Sequence, residues 1–133
     1  MRRLIAAALT ALCLATLGAA PAHAAPTVTV DVLWTSLVSR GAAVDVAFGV
    51  TCPAGFTGTV DVALHQVRAD GLVASGAEVA ELACGMLDTQ RVLASITGAP
   101  FTRGKATLTM LVSGCDGQEC FTFPLNRSTR ITT

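Results

Sequence analysis

The side chains on which chemistry could rest are few: His65, one of two histidines, and the cysteines Cys52, Cys84, Cys115 and Cys120. Asp61 and His65 fall on one face of the same extended segment, but four residues of strand separate them by roughly 13 Å, too far for a hydrogen bond. A nucleophilic dyad would need a Ser or Thr delivered by another strand, and no G-x-S-x-G elbow is there to deliver one. His65 therefore reads as an exposed strand histidine, and the chain as a non-enzyme. Cys115-x₄-Cys120 has the spacing of half a zinc site, but Cys52 and Cys84 are isolated rather than paired. Asp116 and Glu119, inside that short cysteine loop, lack the alternating Asp/Asn pattern of a calcium loop and read as solvated turn acids. With no phosphate-binding loop and no dinucleotide fingerprint, neither a metal nor a cofactor is expected.

What must position these residues begins after a discarded leader. Arg2 and Arg3, an apolar run from Leu4 to Gly18 and the small-residue site Ala22-His23-Ala24 have the layout of a secretory signal cleaved after Ala24. The apolar run is shorter than the roughly 20 residues of a membrane span. Leu12 before Cys13 is not the small residue of a lipoprotein site, and residues 127–133 show no sorting signal, so no membrane anchor is expected and the product is read as secreted and extracellular. Cleavage removes Cys13 and leaves four cysteines in an oxidising compartment, the makings of a small disulfide-stapled domain.

Residues 25–133 suffice for one domain and not two. Losing Arg2 and Arg3 takes the nine basic side chains to seven against nine acidic ones, a net charge of −2. No Lys or Arg cluster survives in residues 25–133, so no footprint for nucleic acid or for an anionic membrane is expected. Eight Arg to one Lys, no Tyr and a single Asn suggest a GC-rich bacterial genome, where the Asn126-Arg127-Ser128 sequon carries little weight.

Period-two alternation runs through residues 25–133. It is clearest at Val44, Val46, Phe48, Val50 and Cys52, and resumes at Val60, Val62 and Leu64 after a turn at 53–58. Arg68-Ala69-Asp70-Gly71 has the composition of a hairpin turn. An N-terminal strand is expected over Thr27 to Leu33, and further ones over 72–74, 77–84, 90–97, 105–113, 120–124 and 127–133. Short strands at this spacing predict an all-β, immunoglobulin-like antiparallel sandwich of seven to eight strands, preferred over a closed barrel because each strand has one apolar face. Cys52 and Cys84 end inward-facing rows and could meet across the core, while Cys115 and Cys120 bracket a tight loop. Of the three connectivities, 52–84 with 115–120 is therefore the expected one.

Phe48 is core by its alternation. Trp34, just past the first predicted strand, and Phe56 and Phe101, in loops beside Gly and Pro, are the candidates for a binding surface. Loop aromatics also tuck under the ends of sandwiches, and one Trp with no Tyr is poor equipment for a carbohydrate platform.

Val50-Thr51-Cys52-Pro53-Ala54-Gly55, Leu64-His65-Gln66, Cys84-Gly85, Ala99-Pro100-Phe101 with Gly104, and the Cys115/Cys120 pair resemble small exported actinobacterial proteins with one immunoglobulin-like domain. That resemblance implies a fold and a location, and no activity. Cys115 to Cys120 and Ala24-Ala25-Pro26-Thr27 are also similar to the neocarzinostatin-type apoproteins of enediyne antibiotics, secreted two-disulfide sandwiches. There the second disulfide closes a short loop, whereas Cys52 and Cys84 lie thirty-two positions apart. Two expectations follow. One is a non-catalytic domain that binds an unknown protein or cell-surface partner through its loops or a sheet face. The other is a carrier holding a small apolar ligand in a cleft between the sheets.

Overall fold

The computed structural model describes residues 27–133. The expected signal segment and the expected cleavage point after Ala24 lie outside the described residues. Seven strands follow one another: β1 (Thr29–Val38), β2 (Ala43–Thr51), β3 (Thr57–Val67), β4 (Val73–Glu81), β5 (Leu87–Leu93), β6 (Gly104–Cys115) and β7 (Cys120–Ile131), with a short 3₁₀ turn at Ser39–Gly41. They form a three-stranded sheet, β1-β2-β5, and a four-stranded sheet, β4-β3-β6-β7, with every ladder between neighbours antiparallel. The two sheets pack face to face as an immunoglobulin-like sandwich.

Alternation sets the inner faces. Val44, Val46, Phe48 and Val50 of β2 and Val92 of β5 meet Val60, Val62 and Leu64 of β3 and Leu108, Met110 and Val112 of β6, all buried. Each such side chain contributes about 1.5–3 kcal/mol by leaving water. Both expected disulfides are present. Cys52–Cys84 ties the β2–β3 connection to the β4–β5 connection, and Cys115–Cys120 closes the β6–β7 turn.

The connections alternate between two ends. Those of β1–β2, β3–β4 and β5–β6 gather at one, here the hairpin end; those of β2–β3, β4–β5 and β6–β7 gather with both disulfides at the other. A loop phenylalanine plugs each. At the disulfide end the Phe56 ring lies over Gly114 and against Phe123, with ring centroids 6.3 Å apart. At the hairpin end the Phe101 N–H donates to the Gly41 carbonyl at 2.8 Å while its ring enters the core. Any side chain at Gly41, whose φ is +94°, would run into the Phe101 carbonyl, so that close approach requires glycine.

Strand boundaries differ from the expected ones in four places. The segments at 72–74 and 77–84 merge into one strand, β4, which ends at Glu81, because Gly76 is not a turn residue. A side chain there would strike the Leu93 carbonyl where β4 passes the end of β5. The segments at 120–124 and 127–133 are likewise one strand, β7, at whose centre Pro124 is tolerated because β7 is a sheet edge. The first strand runs past Leu33 to Val38, through a break in register between Val32 and Trp34. The strand expected over 90–97 is β5, which starts at Leu87 and ends at Leu93.

Candidate functional site

The break in β1 creates an exposed apolar surface. Strict alternation would bury one of Leu33 and Trp34; the extra residue of a β-bulge turns both outward. Leu33 is 53% exposed and Trp34 47% exposed. Trp34 pairs with Ala47 at the middle of β2, whose own neighbour on β5 is Thr89, so the indole stands on the outer face of the three-stranded sheet. Beside it, Asp31 and Leu87 flank Gly49 across the same three strands. Gly49 has no side chain to fill that space, and Leu87 leans over it, its Cδ2 only 3.2 Å from where a β-carbon would stand.

The result is a shallow cleft of about 220 Å³ lined by Asp31, Leu33, Gly49, Met86 and Leu87 among others. Met86 is 65% and Leu87 73% exposed. The disulfide end builds one wall. Cys84 bridges to Val50, and the Gly85 N–H donates to the Val50 carbonyl at 2.7 Å, which holds Met86 at the rim. Further along the same face, Arg91 grips Asp45 with two hydrogen bonds, Nε to Oδ1 at 2.7 Å and Nη2 to Oδ2 at 2.9 Å. That guanidinium holds the Asp45 carboxyl below its ordinary value and its own affinity for the proton above the usual one. The arrangement is apolar contact surface bordered by charge, suited to excluding water from a partner.

Of the three aromatics expected at a binding surface, Trp34 is therefore on a surface, though within β1 rather than beyond it. Phe56 and Phe101 are not: they are 4% and 1% exposed and belong to the core, because an open-ended sandwich needs an apolar plug at each end. Leu33, Met86 and Leu87 escaped the sequence reading. Only the bulge and the contact of β5 with β2 bring them together, and the nearest signal in the sequence was the uncompensated pair Met86-Leu87 in a polar turn.

His65 is exposed on the outer face of the four-stranded sheet, opposite Thr107. In the β6–β7 turn, Asp116 Oδ1 accepts the backbone N–H groups of Gln118 and Glu119, at 3.1 and 3.0 Å. Among the described residues no three His, Cys, Asp or Glu side chains are grouped to hold a metal ion, and no helix is long and apolar enough to cross a membrane. Compared with protein-family models, with curated proteins and with solved structures, the chain matches none.

Proposed function

We propose that this protein is a secreted, non-catalytic interaction module that engages a protein partner through the outer face of its three-stranded sheet. The observation that carries the reading is the bulge that presents Leu33 and Trp34 side by side, next to Met86 and Leu87. Four large apolar side chains grouped in water are costly to solubility and mark an interaction site. Their setting has the anatomy of an interface, an apolar centre with Asp31 and the Arg91–Asp45 pair at its margin. The signal-like leader and the two disulfides support an extracellular place of work. A carrier of apolar small molecules would need space between the sheets, where Phe56 and Phe101 instead pack into one core cluster.

The test uses the native protein and a Leu87→Asp variant as baits against the secreted and surface proteins of the producing cell. A partner held by the native protein and lost with Leu87→Asp supports the proposal. Partners retained equally by both would remove this face from consideration.

A further inference from the structure

Hairpin topology sorts the charges that the sequence scatters. The hairpin end carries Arg40 in the β1–β2 connection, Arg68 at the β3–β4 hairpin, Arg103 in the β5–β6 connection, Lys105 at the start of β6 and Arg130 near the end of β7. Against these five cations stands Asp70, paired with Arg68 at 2.6 Å; Asp45, the third residue of β2, is paired with a sixth cation, Arg91. At the disulfide end, Asp31, Glu81, Asp88, Asp116 and Glu119 are joined by no Lys or Arg among the described residues. The expectation that no basic cluster exists holds along the chain and fails in space.

Within the basic end two depressions adjoin. One, of about 320 Å³, is lined by Arg68, Arg103 and Lys105 with Thr102 and Gly104. The other, of about 210 Å³, lies on the outer sheet face and is lined by Lys105 with His65, Thr107 and Ser128. Val67 and Lys105 line both, and no Asp or Glu lines either. The larger reaches the lower end of the size range of small-ligand sites.

Its walls are held in place. The buried Gln66 amide clasps Thr102 from below, and Arg68 Nη1 donates to the Pro100 carbonyl at 2.9 Å. Arg68 Nε is buried with no hydrogen-bond partner. Lys105 and Arg130 are direct cross-strand partners, a like-charge pair that destabilises an antiparallel ladder unless an anion offsets it. Arg68 is held by Asp70 and by the Pro100 carbonyl, while the Arg103 guanidinium, the Lys105 ammonium and the hydroxyls of the lining meet no carboxylate within it, which is the equipment of oxyanion recognition.

We propose that this double depression is a phosphate-recognition site, formed by Arg68, Arg103 and Lys105 and extended along the sheet by His65, Thr107 and Ser128. The phosphate is either free or carried by a lipid headgroup. Leu72 and Ile96, 54% and 102% exposed in the connections at this same end, could enter the interface of a bilayer beneath such headgroups. The site is separate from the Trp34 face, which lies on the other sheet, so either proposal can fail without the other.

The test follows backbone amides of the disulfide-intact protein by nuclear magnetic resonance as inorganic phosphate replaces chloride at constant ionic strength. Thr102, Arg103, Gly104, Lys105 and Thr107 should shift saturably. The exposed pair Arg103→Gln/Lys105→Gln should bind at least tenfold more weakly, with a melting temperature in chloride no lower than the parent's. A second arm sediments the protein with phosphatidylglycerol vesicles and with phosphatidylcholine vesicles. Binding to the first alone, displaced by inorganic phosphate, assigns the headgroup; saturable phosphate binding without sedimentation assigns free phosphate. Shifts that never saturate, or that the double variant leaves unchanged, overturn the proposal.

Discussion

Gln66 and Thr102, thirty-six positions apart, are joined as two residues of a ladder would be: Gln66 Nε2 donates to the Thr102 carbonyl at 2.8 Å, and the Thr102 N–H donates back to Gln66 Oε1 at 2.9 Å. Gln66 is 2% exposed, so its amide is a buried polar group whose needs the β5–β6 connection meets. In exchange the connection acquires a fixed position over the hairpin end.

Replacing Gln66 with Leu keeps the volume and strands the backbone of Thr102. An unsatisfied buried group costs about 1–3 kcal/mol. The urea midpoint should fall accordingly, and hydrogen exchange at Thr102 should accelerate more than at Val62. A variant as stable as the parent would show that water replaces the clasp.

The two disulfides should not be equivalent. On the chain-entropy account the loop closed by Cys52 and Cys84 contributes about 3.7 kcal/mol, and that closed by Cys115 and Cys120 about 2.2 kcal/mol. Paired Cys→Ala variants compared by thermal melting should reproduce that order. The first pair should also loosen Met86, since the Gly85–Val50 contact depends on it.

Aromatic residues should divide by location. Phe101→Ala empties a core position and should cost about 3–5 kcal/mol. Trp34→Ala, on the outer face, should stay within about 1 kcal/mol of the parent by the same denaturation assay. If Trp34→Ala proved as damaging as Phe101→Ala, the indole would be a packing residue and the proposed face would lose its centre.

Acid should weaken the Arg91–Asp45 contact in a defined direction. Because Arg91 holds the Asp45 carboxyl below its unfolded value of about 3.9, the contribution is complete above that value and is lost as pH falls through the lowered one. Asp45→Asn should therefore be less stable than the parent at pH 7, and the gap should narrow towards pH 3. A gap of constant size would trace the loss to packing instead of charge.

The sheet faces were legible because burial enforces period two: Val44, Val46, Phe48 and Val50 must all point one way, and the cysteine pairing follows from where those rows end. What stayed hidden depends on neighbours remote in sequence. Gly76 resembles a turn until the Leu93 carbonyl is beside it, and Pro124 resembles a stop until its strand proves to be an edge. The bulge at Leu33 breaks the very pattern used to find strands, so the face around Trp34 was the part least open to reading. Arg68, Arg103 and Arg130 look dispersed along the chain, and only alternating connections bring them to one end.

Opposite charge at the two ends makes the sandwich a permanent electric dipole, although residues 27–133 sum to only −2, seven basic against nine acidic side chains. Near neutrality, in dilute buffer, such molecules attract one another pole to pole. Added salt screens that attraction once the Debye length shrinks to about 10 Å, near 0.1 M. The protein should accordingly salt in, becoming more soluble as ionic strength first rises, and it should rotate its basic pole towards any negatively charged wall before contact is made.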